Sequence, residues 1–337
     1  MPRCRLSLAC NKSFTELPRI AVAPYSAAAT VGLGMDIPVA LYVGPDAVLR
    51  RIVASCRSDL VKHRAILLAS KRPSGIHQTR VALRRLRAAL SLFRGGAETP
   101  EIERQMRALS AEAKWLAAEC APARDLHVFL TETVDDVPPA IRRITSRLAR
   151  THLERARTAL SGARFTDFER ALSAFAAGAD SGAAAGAASI TVGAFARAVL
   201  NNRHSRVEHR ARKIESLHGE RLHRLRIAIK KLRYAAEFLA PALALEPFAN
   251  RAAKAYIQAT VRLQGALGSL NDRAVAAHVM ADIAIAARPT EDVERPLRKL
   301  GKQVAAGEKR RRRRLGRTWK NFRKCERFWR SQEMETE

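Results

Sequence analysis

The chain has 337 residues, with 61 Lys+Arg against 32 Asp+Glu, a net charge of +29. Hydrophobic residues make up 47%, enough to bury a core, which excludes global disorder. A cation excess this large repels itself unless an anion offsets it, so the expected partner is a polyanion: nucleic acid, an anionic membrane or a phosphate polymer.

Residues 1–45 carry Pro18, Pro24, Pro38 and Pro45 and a small-residue stretch, Ser26–Gly34. They read as a poorly ordered leader. The apolar run in the first residues is too short for a signal peptide, and no stretch reaches the roughly 18 apolar residues of a membrane span. From Asp46 onward apolar residues recur at three- and four-residue spacing, and no stretch alternates with a period of two. The predicted helices are 46–70, 75–94, 99–119, 122–133, 138–161 and 165–177, then 191–215, 219–239, 246–267, 270–287 and 291–329. Between the two groups lies a Gly/Ala/Ser linker, 178–190. The class is all-α, with a first helical half at 46–177, a second at 191–330 and a short tail at 331–337. The cysteines, Cys4, Cys10, Cys56, Cys120 and Cys325, are scattered, odd in number and without a CxxC pair. That argues against a disulfide scaffold or thiolate zinc site, and for a reducing, cytoplasmic setting.

One segment occurs twice. Ile76–Arg87 reads IHQTRVALRRLR, and Leu222–Arg233 reads LHRLRIAIKKLR, at an offset of 223 − 77 = 146. A weaker echo aligns Leu116–Asp125 with Leu263–Asp272. On a helix His77, Arg80, Arg84 and Arg87 form one row, opposite Leu83, Leu86, Leu90 and Phe93. Arg85 falls between the two faces. In the second copy the row is His223, Arg226, Lys230 and Arg233, opposite Leu225, Ile229, Leu232 and Leu239. Each row is roughly 15 Å long at about 1.5 Å per residue, which suits an extended ligand with repeated negative charge better than a single small anion. Solvation of an outer helix face explains any one such row. Two features weigh against it here. No acid lies between His77 and Arg94, so the like charges destabilise the helix, and the row recurs with its histidine.

These residues resemble the CHAD family, the conserved histidine α-helical domain. HxxRxxxRRxR (His77, Arg80, Arg84, Arg85, Arg87) and HxLRIxIKKLRYxxE (His223, Arg226, Lys230, Lys231, Arg233, Tyr234, Glu237) carry the resemblance. Arg124-Asp125-Leu126, the segment from Leu263 to Asp272, and Trp319 with Phe322, Phe328 and Trp329 add to it. It covers about residues 46–330 and has no tunnel-type triphosphatase module beside it, so it looks like a stand-alone member. The resemblance implies two pseudo-symmetric four-helix bundles around a central basic channel that binds inorganic polyphosphate. The residues it implies are His77, Arg80, Arg84, Arg85, Arg87, Arg124, His223, Arg226, Lys230, Lys231, Arg233 and Tyr234. Arginine forks and lysine charges suit phosphate oxygens, and the Tyr234 hydroxyl would stand beside the second row. Glu237, four residues after Arg233, would hold that guanidinium.

No cofactor or metal is expected, and the expected role is a non-catalytic binding module, with targeting to polyphosphate granules one use of it. Asp125 and Asp272 read as helix caps or as partners of a neighbouring arginine rather than metal ligands, and Trp115 as core. The run Lys309–Arg314 reads as a helix whose basic side faces water or the channel mouth, with Leu315, Trp319 and Phe322 on its apolar side; a nucleic-acid patch is the rival. An RNA- or DNA-binding helical protein remains the main alternative for the whole chain. A phosphatase is the third reading, with no HExxH, GxSxG or Gly-rich phosphate loop to support it.

Overall fold

A computed structural model describes residues 44–69, 74–96, 99–133, 136–178, 191–243, 247–287 and 291–330. Nearly all of the expected leader and linker, and the tail at 331–337, lie outside the described residues. The described residues hold eleven α-helices and no strand. In chain order these are α1 (Pro45–Ala69), α2 (Ser74–Phe93), α3 (Pro100–Glu119), α4 (Ala121–Val128), α5 (Pro139–Ser161) and α6 (Ala163–Ala177). The later helices are α7 (Val192–Arg210), α8 (Gly219–Leu243), α9 (Pro247–Ala287), α10 (Glu291–Ala305) and α11 (Glu308–Arg323). A π-helical turn, Phe129–Thr133, extends α4.

Local chemistry sets several boundaries. Thr99 caps α3, its hydroxyl accepting from Ile102 N–H at 3.2 Å, and Pro100 follows where a missing N–H costs nothing. Thr191 caps α7 in the same way through Ala194 N–H. Two expected boundaries are corrected. The predicted helices 246–267 and 270–287 are one 41-residue helix, α9, which runs straight through Gly268 and Ser269. A helical glycine costs about 1 kcal/mol, but α9 buries Leu263, Leu267 and Leu270 in one core and Val279 and Ile283 in another, and that burial outweighs it. Conversely, the predicted helix 291–329 is broken at Gly307, whose φ of 75° is left-handed and separates α10 from α11.

The larger core is continuous across both sequence halves. It joins Leu60, Leu83, Leu86 and Leu116 to Leu225, Leu232, Leu239 and Tyr256. Phe93 stacks on Phe195 across the halves, with ring centroids 5.3 Å apart. Phe328 and Trp329, beyond α11, pack on Tyr256, and Trp329 Nε1–H donates to Asn201 Oδ1 at 2.8 Å. The smaller core lies under α4, α5, α9 and α10 and includes Phe129, Ile141 and Leu300. Trp115 is only partly buried; it packs at the rim of the larger core, with the Arg164 guanidinium 3.9 Å over its ring. The Cys56 and Cys120 thiols are buried, and burial pushes both up to about 12, so neither is a ready nucleophile. Among the described residues no helix is long and apolar enough to cross a membrane.

The approach of α1 to α2 depends on Gly75, where a Cβ would stand 2.8 Å from Leu67 Cβ and 2.9 Å from the Leu67 backbone. Gly265, exposed inside α9, has nothing within 4 Å of such an atom. Chemical denaturation should therefore give opposite signs: Gly75→Ala loses about 1–3 kcal/mol of stability, and Gly265→Ala gains up to about 1 kcal/mol. Equal effects at the two glycines would refute the close-packing account.

Candidate functional site: a basic cluster between α2 and α8

α2 and α8 bury their leucine sides in the common core and pack against each other. Their polar rows therefore emerge as neighbours. Arg84 Nε–H donates to the Tyr234 hydroxyl at 2.6 Å, a direct bond from the first half to the second. Lys230 of α8 has Arg84 and Arg87 of α2 among its charged neighbours, together with Arg226. Burial, reinforced by these cations, lowers Lys230 to about 8. Among the described residues no acid is paired with Lys230.

α4 supplies the next member. Arg124 Nε–H donates to His77 Nδ1 at 3.0 Å, and its Nη2 pairs with Glu132 of the π-helical turn at 3.2 Å. The first bond places the His77 ring proton on Nε2. Burial, then the charges of Arg124 and Arg84, push His77 down to about 4, against a smaller opposing effect of Glu132. His77 is thus a neutral imidazole at ordinary pH.

Two aspartates back the arginines, Asp125 half-buried and Asp272 exposed. Asp125 has Arg80 and Arg124 as its charged neighbours; Asp272 has Arg226, Arg124 and Arg311, and also Glu132. Arg80 is fixed further by its bond from Nη1 to the Ala117 carbonyl at 3.1 Å. These aspartates accompany arginines, as their place in the repeat suggests. Among the described residues no group of three or more His, Cys, Asp or Glu gathers as a metal site would require.

The twelve residues singled out by the sequence separate into groups. His77, Arg80, Arg84, Arg87, Arg124, Arg226 and Lys230 share one electrostatic neighbourhood. Arg85 and Arg233 face a different set. Arg85 lies 3.5 Å from Asp59 of α1 and beside the Phe238 ring. Arg233 is 8% exposed, stands 3.3 Å from Glu237, and lies over the Tyr234 ring. Glu237 thus holds Arg233 as the spacing implies, and Arg84 and Arg85 are also near it. Tyr234 is buried, its hydroxyl already taken by Arg84. His223 is exposed in the first turns of α8. Lys231 is exposed, and its charged neighbours belong to α7.

Arg311 was not singled out. It lies near Asp272, and its Nη2 donates to the Val304 carbonyl at 3.0 Å. The signal was present in the sequence: Arg311 is four residues before buried Leu315, hence on the inward side of α11. Arg312 is a structural staple, bonding the carbonyls of Glu215 and Leu217 and the ring of His218. The other members of the run, Lys309, Arg310, Arg313 and Arg314, are exposed, as expected of a basic helix side turned to water.

The fold and these motifs define an all-α domain built on histidine-bearing basic helices. The CHAD domain model matches residues 51–281, and the chain belongs to the CHAD domain family, which is linked to polyphosphate. Among solved structures, the crystal structure of the CHAD domain from the plant Ricinus communis is similar at a TM-score of 0.70 and 24% identity, covering 85% of this chain and 94% of that one. PptA from Streptomyces chartreusis is similar at a TM-score of 0.54 and 16% identity, covering 82% of this chain and 99% of that one. No curated protein matches the chain.

The neutral His77 makes a stability prediction. Its folded value of about 4 lies below the unfolded 6.5, so its contribution is complete above about pH 6.5 and is lost as pH falls toward about 4. In His77→Gln the amide oxygen can still accept from Arg124 but does not titrate. Thermal unfolding should show the wild type losing more stability over that interval than His77→Gln. Identical losses would contradict the assignment.

Proposed function

We propose that the protein binds inorganic polyphosphate along the facing rows of α2 and α8 and does not hydrolyse it. The observation that carries this reading is the convergence of Arg84, Arg87, Arg226 and Lys230 at the α2–α8 junction. Extended, repeated negative charge answers such a row; one small anion would neutralise only part of it. In this reading Arg80, Arg84, Arg124 and Arg226 offer guanidinium forks to phosphate oxygens, and Lys230 offers a point charge. His77 donates through Nε2–H, and an adjacent phosphate draws its value upward. Arg87 and His223, both exposed, extend the row. Asp125 and Asp272 orient their arginines, and Arg124 exchanges Glu132 for a phosphate. Arg85 and Arg233 brace the two helices from behind, and Tyr234 holds Arg84 in place. Granule targeting follows if the bound polymer is itself assembled into granules.

Nucleic acid is the rival polyanion. Binding single strands relies on rings on which bases stack. Among the described residues the exposed large hydrophobics are Ile66 and Ile285, neither of them aromatic, and Tyr234 is buried. Those facts favour a ligand without bases.

Titration with labelled polyphosphate tests the proposal. Arg84→Glu with Lys230→Glu should weaken binding roughly 100-fold or more, at about 1.5–3 kcal/mol per charge-assisted hydrogen bond, with helical circular dichroism unchanged. Unaltered binding would reduce the rows to solvated faces. RNA displacing the polymer at equal phosphate concentration would give the site to nucleic acid. Phosphate release in Mg²⁺ or Mn²⁺ that Asp125→Ala or Asp272→Ala abolishes would make the protein an enzyme.

A further inference from the structure

Lys231 is the expected residue whose charged neighbours lie on α7. Neighbouring residues on a helix are about 100° apart, so Lys230 and Lys231 stand on adjacent sides of α8. Lys230 meets α2; Lys231 is exposed and meets α7, where Arg203, Arg206 and Arg210 are its charged neighbours. Those three arginines recur at i, i+3 and i+7, one face of α7, and α7 packs along α8. Arg210 Nη1–H donates to the Arg224 carbonyl at 3.3 Å, tying the end of α7 to the start of α8.

Among the described residues no acid is paired with Arg203, Arg206, Arg210 or Lys231. Glu208, on α7, faces Arg327 at 3.1 Å and His204 at 3.4 Å. Glu220, on α8, faces Arg224 at 3.3 Å. Arg203 Nε is buried and has no hydrogen-bond partner. Arg155 and Arg164, by contrast, each have an acid: Arg155 pairs with Glu119 and Arg164 with Glu112, each through two hydrogen bonds. Like charges gathered along a groove without counterions weaken the helix pair that carries them.

We propose that the α7–α8 groove of Arg203, Arg206, Arg210 and Lys231 is a second polyanion site, which takes the part of a long polyphosphate chain that runs out of the α2–α8 cluster across α8. This rests on the function proposed above. The consecutive pair Lys230-Lys231 is the bridge, one lysine on each side of the helix. The groove makes affinity depend on chain length: a short chain occupies the central rows alone, and a long chain engages both.

The experiment compares tripolyphosphate with long-chain polyphosphate on the wild type and on Arg206→Glu with Arg210→Glu. Both positions are exposed, and circular dichroism reports retained helix. The expected result is tripolyphosphate affinity unchanged within about twofold, long-chain affinity down by about tenfold or more, and a shallower salt dependence for the long chain alone. Long-chain affinity equal in variant and wild type would overturn the second site while leaving the proposed function intact. An equal loss for both lengths would make the groove part of one undivided site and overturn the proposal as stated. A wild type that binds neither length would overturn the function, and this inference with it.

Discussion

The organising constraint is an electrostatic imbalance built into a helix–helix contact. α2 and α8 share leucine-lined core, so they cannot separate without exposing it. That same contact forces Arg84, Arg87, Arg226 and Lys230 into one neighbourhood. Hydrophobic burial is the larger effect and fixes the geometry; repulsion is the smaller one and is only partly offset. A folded protein tolerates this where an external charge completes the balance. Local devices limit the cost. Tyr234 accepts from Arg84, Glu237 faces Arg233, and the Asp125 and Asp272 carboxyls stand near Arg80 and Arg226.

The two copies of the repeated segment are used differently. His77 is half-buried, bonded by Arg124 and neutral, whereas its counterpart His223 is exposed. Arg124 itself has Asn271 at the corresponding place, so the first copy has a cation that the second lacks. Tyr234 has Ala88 as its counterpart, and only the tyrosine can cross to the other helix. The two rows therefore present unlike surroundings, one with a neutral bonded histidine and an added arginine, the other with an exposed histidine.

Much of this was legible in the residues. Helical periodicity fixed the class, and the repeated His/Arg/Lys rows named most of the cluster, because a row of like charges without acids is visible at three- and four-residue spacing. What spacing cannot supply is which helices touch. The placement of Lys230 beside Arg84 depends on the α2–α8 contact, and the family resemblance, not periodicity, suggested it. Arg85 and Lys231 each sit one step off a row, and one step is enough to send them to Asp59 and to α7. Gly268 looked like a helix break because glycine propensity is local, while the burial that carries α9 through it is not. Arg311 was hidden in a run of six cations, although its phase with Leu315 marked it as the inward one.

Thermal unfolding of Lys230→Met, with and without polyphosphate, tests the central claim most directly. If Lys230 is a cation held against its neighbours, replacing it with an apolar side chain of similar length removes a desolvated, repelled charge. The ligand-free variant should then unfold at a temperature equal to or above the wild type, and polyphosphate should raise it less. A ligand-free variant that unfolds well below the wild type, yet gains as much from polyphosphate, would show that Lys230 is held by favourable contacts and that the imbalance is not what the polymer answers.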